Sequence, residues 1–297
     1  MAKGHVVVGV DAPETSGDAV RWAARTAELH GVPLTMVHAV EEVAGLPRGV
    51  VADADEATRT VLRDNTQSHS MLTQAADGVR EEFPELEVHP VEVVGDNVKS
   101  LLAHQEGALL VVGTGHRNTL SELILGSTSL GVAMHATSPV AVVPPDSGNR
   151  DSHGVIMVAV DGSADSAVAA RIACQEARAR GVKVVAVNTW GLEVVDGFVV
   201  TESDQEQFAA IQQRQADLVD RALASARRDY PEVEIEVEIV HDRAVRTLIA
   251  RSEAADLLVM GSRGLGGFSG KLLGSVSQRI LRTAQCPVII VKARASD

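Results

Sequence analysis

In this 297-residue chain, the spacing Gly261, Ser262, Arg263, Gly264 and, after nine intervening residues, Gly274-Ser275 marks the stretch with the clearest chemical use. The run Asp256 to Met260 before it is short and apolar and reads as a buried parallel strand, while Ser275 to Ala284 reads as a helix. A glycine-rich turn leading from a strand into a helix start lets backbone N–H groups face a phosphate without Cβ atoms in the way. The N–H groups near Gly261–Gly264 and at Gly274, Ser275, Val276 and Ser277 can surround a triphosphate. The Ser275 and Ser277 hydroxyls can add hydrogen bonds, and Arg263 and Lys271 can offset ligand charge. Asp161, followed by Gly162-Ser163 at the end of an earlier strand, would repel phosphate. It is better placed at the adenine or ribose end, two residues beyond the small Ala159. Each feature also has a blander use: a glycine-rich stretch serves as a solvated loop, and an Asp after a strand forms a turn or caps a helix.

Other chemistries fit poorly. Gly270-Lys271 is not a Walker loop, because Leu265 stands at the first glycine and Leu272 at the Ser/Thr. Gly264-Leu265-Gly266 begins like a dinucleotide fingerprint but ends at Ser269. The ten histidines show no zinc spacing, and no Ser/His/Asp arrangement or other catalytic set stands out. No protein metal site is expected; Mg²⁺ or Mn²⁺ would arrive bound to the phosphates.

A formal net charge of −13 argues against nucleic acid or an anionic membrane as a partner. An aromatic content of 2% removes the stacking platforms of single-strand binders. No apolar run reaches membrane-span length, and Met1-Ala2-Lys3-Gly4-His5 runs into a strand without a signal core. Cys174 and Cys286 give no sign of pairing. A soluble, cytoplasmic protein is expected, and 45% hydrophobic residues can fill more than one core.

The elements that must position these residues alternate strand and helix. Strands are expected at Val6–Val10, Pro33–Val40, Leu86–Val94, Ala108–Val112 and Pro139–Val143. Helices are expected at Ser16–His30, within Asp55–Phe83, at Asp96–Glu106 and at Ser127–His135. The order recurs: Asp11 and Asp161 are 150 positions apart, and Gly113 and Gly261, like Pro139 and Pro287, are 148 apart. The chain is thus a duplication, with a first domain at 1–145, a linker at 146–153 and a second domain at 154–297. Each is an α/β unit whose right-handed crossovers put helices on both faces of a mainly parallel sheet. If strand 5 is an edge, Pro139–Val143 and Pro287–Val291 need cover, from each other or from another chain. A homodimer stays open on this ground.

The second-copy spacing, with Asp161-Gly162-Ser163, resembles the ATP-binding branch of the universal stress protein family, and the whole chain is similar to its tandem actinobacterial members. The resemblance implies two Rossmann-like domains with strand order 3-2-1-4-5 and nucleotide between the carboxyl ends of strands 1 and 4. It also implies base contacts from the backbone around Thr189 and a role in stress or growth arrest through an unknown regulatory protein partner.

The first copy is less regular. Gly9, Asp11, Ala39, Gly113, Thr114, Gly115, Gly126, Ser127, Thr128 and Ser129 supply the corresponding site. However, His116 stands at the place of Gly264, Ala12-Pro13 at that of Gly162-Ser163, and Leu123 at that of Lys271. If Gly264 needs a positive φ, a His there costs about 1–2 kcal/mol. Weaker binding in the first copy is expected.

The favoured function is an ATP-binding regulator rather than an enzyme, because the phosphate cradle is well formed while no base accompanies it. Alternatives are a slow ATP hydrolase on the same fold, a cyclic-AMP-binding protein, or an assembly module that binds no nucleotide.

Overall fold

Short β-branched runs form the central strands, and their burial on both faces explains why they are apolar almost without interruption. In the computed structural model the described residues are 4–11, 13–40, 70–114, 125–147, 152–191, 194–195, 198–199, 205–264 and 273–293. The first copy contains β1 (His5–Gly9), α1 (Pro13–His30), β2 (Leu34–Val40), α2 (70–82), β3 (Val88–Val94), α3 (Asn97–Ala103), β4 (Ala108–Gly113), α4 (Ser127–His135) and β5 (Val140–Val143). The second contains β6 (Val155–Ala159), α5 (Ala164–Arg180), β7 (Lys183–Trp190), the two-residue pair β8 (Val194–Val195) and β9 (Phe198–Val199), and α6 (Gln205–Asp229). It ends with β10 (Ile235–His241), α7 (Ala244–Ser252), β11 (Leu257–Gly261), α8 (Ser275–Thr283) and β12 (Val288–Val291).

Each copy is a parallel five-stranded sheet in the order 3-2-1-4-5: β3-β2-β1-β4-β5 in the first and β10-β7-β6-β11-β12 in the second. The two strand-5 edges cover each other. β5 and β12 pair antiparallel, Val140 with Ile290, Ala141 with Ile289 and Val142 with Val288, so one ten-stranded sheet runs through both copies. The apolar edges that looked exposed in sequence are thereby satisfied within the chain. The antiparallel hairpin β8–β9 had no signal in the strand–helix alternation and was not expected.

Each sheet face carries a core that continues across the copies. On one face α1 and α5 present the buried alanines Ala19, Ala23, Ala24 and Ala27, and Ala169, Ala170, Ala173 and Ala177. Small side chains let the helix backbones lie close to the sheet. Where α1 meets α5, the duplication is broken. Glu176, 1% exposed, lies 2.7 Å from His30 Nε2 through one oxygen and accepts from Arg180 Nη1 at 2.7 Å through the other. Burial alone would raise the Glu176 pKa, but the hydrogen bond to His30 and the charge of Arg180 hold it below its ordinary value. Thr26 occupies the equivalent place in α1.

Both cysteines are buried and neither is in a disulfide, and burial pushes the Cys174 thiol up to about 11. Among the described residues, no helix is long and apolar enough to cross a membrane.

Candidate nucleotide site

Both copies open a cavity at the carboxyl ends of their first and fourth strands, where parallel α/β sheets present loops to ligands. In the second copy β6 delivers Asp161 and β11 delivers Gly261 to Gly264. Asp161 does two things at once. Its Oδ1 accepts from the Ser163 N–H at 3.0 Å and the Ser163 hydroxyl at 2.6 Å, closing a turn, and Ser163 Oγ accepts in turn from the Ser166 N–H at 3.2 Å to cap α5. Its other oxygen, Oδ2, stands 2.5 Å from where a Cβ on Gly264 would sit. The turn-forming and site-facing readings of this residue therefore coexist.

That contact changes the reason for glycine at position 264. The backbone there is not in the positive-φ region, so the requirement is space beside Asp161 rather than a left-handed conformation. A cradle that a Cβ would fill suits close approach of a ligand to the backbone. The positive φ belongs to Gly162, at +84°, where an added Cβ would come within 2.6 Å of Leu218 on α6. Gly162 therefore packs beneath α6 and does not line the cavity.

The loop after β11 is fastened by a residue that pattern reading passed over. Asp165, in the first turn of α5, accepts from Ser262 Oγ at 2.8 Å and the Arg263 N–H at 3.3 Å through Oδ2, and from the Ala293 N–H at 2.8 Å through Oδ1. Gly261 is held against it, since a Cβ there would fall 2.7 Å from Asp165 Cβ. From the other side Ser277 Oγ donates to the Gly261 and Ser262 carbonyls at 3.0 Å each, and the Gly274 N–H donates to the Ser262 carbonyl at 2.8 Å. The Ser277 hydroxyl, expected to reach phosphate, thus spends its proton on holding the loop. Ser262, fully buried, is likewise an anchor and does not line the cavity.

Of the residues expected in the second site, Ala159, Asp161, Thr189, Gly261, Arg263, Gly264, Gly274, Val276 and Ser277 line one cavity of about 140 Å³; Gly162, Ser262 and the exposed Ser275 do not. In the first copy Gly9, Asp11, Ala39, Gly113, Gly126, Ser127, Thr128 and Ser129 line a cavity of about 220 Å³. Thr114 is buried beside it with its hydroxyl unpartnered. Gly115, His116, Leu123 and Lys271 lie outside the described residues. Ser129 Oγ donates to the Gly113 carbonyl, repeating the fastening made by Ser277.

The two cavities correspond wall by wall. Val37, Leu101 and Val112 form the apolar floor of the first, and Val187, Leu248 and Met260 that of the second. Behind strand 1, His38 Nδ1 meets the Val10 carbonyl at 2.7 Å, and Asn188 Nδ2 donates to the Val160 carbonyl at 2.8 Å, so each copy ties strand 2 to the loop after strand 1. These floor residues were not singled out in sequence, because apolar strand and helix positions look alike whether they face a core or a ligand. An apolar slot, a carboxylate at its edge and a fastened glycine loop are the parts that hold a base, a ribose and phosphates.

The second site is also tied to the first copy. Lys292, next to the Ala293 that binds Asp165, donates to the Met134 and Ala136 carbonyls at the end of α4, at 2.7 and 2.8 Å. Burial lowers the Lys292 pKa, nearby Arg263 lowers it further, and Asp165 opposes both. Its counterpart is Pro144.

Comparison with known proteins agrees with this architecture. The model of the universal stress protein family matches twice, at residues 3–144 and 153–292. Universal stress protein Rv2623 of Mycobacterium tuberculosis is 34% identical over 295 residues, covering 97% of this chain and 96% of that protein. A universal stress protein of Mycolicibacterium smegmatis is 33% identical over 295 residues, covering 97% of both. Among solved structures, a universal stress protein from Archaeoglobus fulgidus matches with a TM-score of 0.68 at 18% identity, over 99% of this chain and 98% of that one. The chain belongs to the universal stress protein family and carries its domain twice in tandem.

Proposed function

We propose that this protein binds ATP and acts as a nucleotide-dependent regulator in stress or growth arrest, with the second copy as the primary site. The observation that carries the reading is the second cavity itself. Its phosphate loop is fastened by Asp165 and Ser277, its glycine at 264 leaves room beside Asp161, and Arg263 stands on its wall in a protein of net charge −13. ATP would carry Mg²⁺ or Mn²⁺ on its phosphates. The cavity walls support regulation over turnover: Asp161 is engaged in a turn at the strand-1 side, and among the described residues no side chain is placed as a base for water at the phosphate end. A cytoplasmic location and an unidentified regulatory protein partner accompany this reading. A homodimer would have to use a surface other than the strand-5 edges, which are paired within the chain.

The test is to denature freshly purified protein, separate the released small molecules and count nucleotide per chain, then add Mg-ATP and follow phosphate release. Retained ATP that persists over hours supports the regulator. Continuing phosphate release with only ADP retained favours the hydrolase, cyclic AMP among the released molecules favours the alternative ligand, and no nucleotide at all leaves an assembly module.

A further inference from the structure

The polar side chain at the base end changes place between the two cavities. In the second it is Thr189, at the end of β7, facing a slot whose other wall is Ala244 at the start of α7. In the first the strand residue is Ala39, and the polar group is Asn97 at the start of α3. Asn97 also lines the wider groove that leads out of the first cavity past Gly95 and Asp96. The helix cap there is made by Asp96, which accepts from the Lys99 N–H at 2.9 Å, so the cap does not draw on the Asn97 carboxamide.

The difference is chemical. An apolar floor holds any flat base by area and does not tell one from another. A hydroxyl such as that of Thr189 rotates to suit donor or acceptor and discriminates weakly. A carboxamide presents an N–H and a C=O side by side at fixed spacing, the complement of adenine's amino group beside a ring nitrogen. We infer that Asn97 is a specificity-determining residue that reads the amino-bearing edge of adenine, making the first cavity the base-selective member of the pair. This rests on the nucleotide reading above and adds a division of labour to it: the second cavity grips phosphates, the first recognises the base.

The experiment uses the full chain and calorimetric titration with ATP and with purine riboside 5′-triphosphate, which lacks the 6-amino group. An Asp161→Ala chain, with the second cavity weakened, is compared with the same chain carrying Asn97→Ala. Asn97 is exposed and outside the core, so the substitution leaves folding intact. The first cavity is expected to prefer ATP over the analogue by about tenfold, the worth of a bidentate amide pair. Asn97→Ala should bring that preference close to unity, weakening ATP more than the analogue, which keeps the ring nitrogen but not the amino group. In a chain otherwise unaltered, Ala244→Asn should raise the second cavity's preference for ATP.

Three results overturn the inference, each differently. A preference for ATP that survives Asn97→Ala removes Asn97 from base reading. Binding by the parent chain that vanishes in Asp161→Ala leaves the proposed function standing but empties the first cavity of nucleotide. Failure of the parent chain to bind ATP at all removes the function and the inference together.

Discussion

The two copies share their sheet order, cavity floors and loop fastening by a helix serine, yet they differ in what holds the loop after strand 4. In the second copy Asp165 collects three donors and fixes Ser262, Arg263 and Ala293. In the first copy Thr15 stands at the Asp165 position, and Thr114, the counterpart of Ser262, has a buried hydroxyl without a partner. Charge differs too: Asp96 lines the groove of the first site where Arg243 stands at the corresponding place in the second. Duplication has kept the scaffold and let the polar parts diverge. The polar groups around the two cavities therefore differ in charge, although one sheet carries both.

The largest effect is expected where the copies meet. Glu176→Gln leaves His30 and Arg180 facing a neutral amide in a buried place where the first copy has Thr26, and should cost about 3 kcal/mol in urea unfolding. The pH dependence follows from the lowered folded pKa of Glu176. Its contribution is fully present above the unfolded value near 4.5 and is lost as pH falls through the folded value. Below pH 4.5 the parent chain should therefore lose stability faster than Glu176→Gln; parallel curves would remove Glu176 from the interface account.

Gly162→Ala comes next, at about 2–3 kcal/mol, because it adds left-handed strain to an overlap with Leu218. The first copy carries Ala12 at that position, and Ala12→Gly should change stability by less than about 1 kcal/mol. A loss below about 1 kcal/mol from Gly162→Ala would remove the requirement for glycine at that position. Asp165→Ala should cost about 2 kcal/mol and speed amide exchange at Arg263 and Ala293, both of which donate to it. The smallest effect, about 1 kcal/mol, is expected from Lys292→Met, which removes two hydrogen bonds to α4 and makes the second copy more like the first at Pro144. Thermal unfolding with and without Mg-ATP would show whether that contact also carries ligand binding from one copy to the other.

Much of this was legible in the sequence. The constant spacing of Asp11 and Asp161, and of Pro139 and Pro287, exposed the duplication, and the β-branched strand-5 runs announced edges in need of cover. Periodicity placed most helices to within a few residues, although α1 begins at Pro13 rather than Ser16 and α3 ends at Ala103 rather than Glu106. Proline suits a first helical turn, where its missing N–H has no partner to lose.

What stayed hidden depends on pairings between distant segments. Asp165 looks like any acidic residue in a first helical turn until Ser262 and Ala293 are brought to it. Glu176 looks like a solvated helix charge until α1 packs against α5. Gly264 signalled closeness, but a backbone conformation and a neighbouring carboxylate leave the same letter in the sequence. Asn97 follows a capping Asp, and only the juxtaposition of β2 and α3 turns it toward a cavity.

The measurement that tests unequal nucleotide binding most directly is the ATP content of the purified parent chain beside those of Asp161→Ala and Asp11→Ala, each denatured and counted after equilibration with Mg-ATP. The account predicts that Asp161→Ala loses most of the bound ATP and Asp11→Ala the smaller part. A larger loss from Asp11→Ala would contradict it by making the first copy the primary site, and a parent chain that holds no ATP would contradict it altogether.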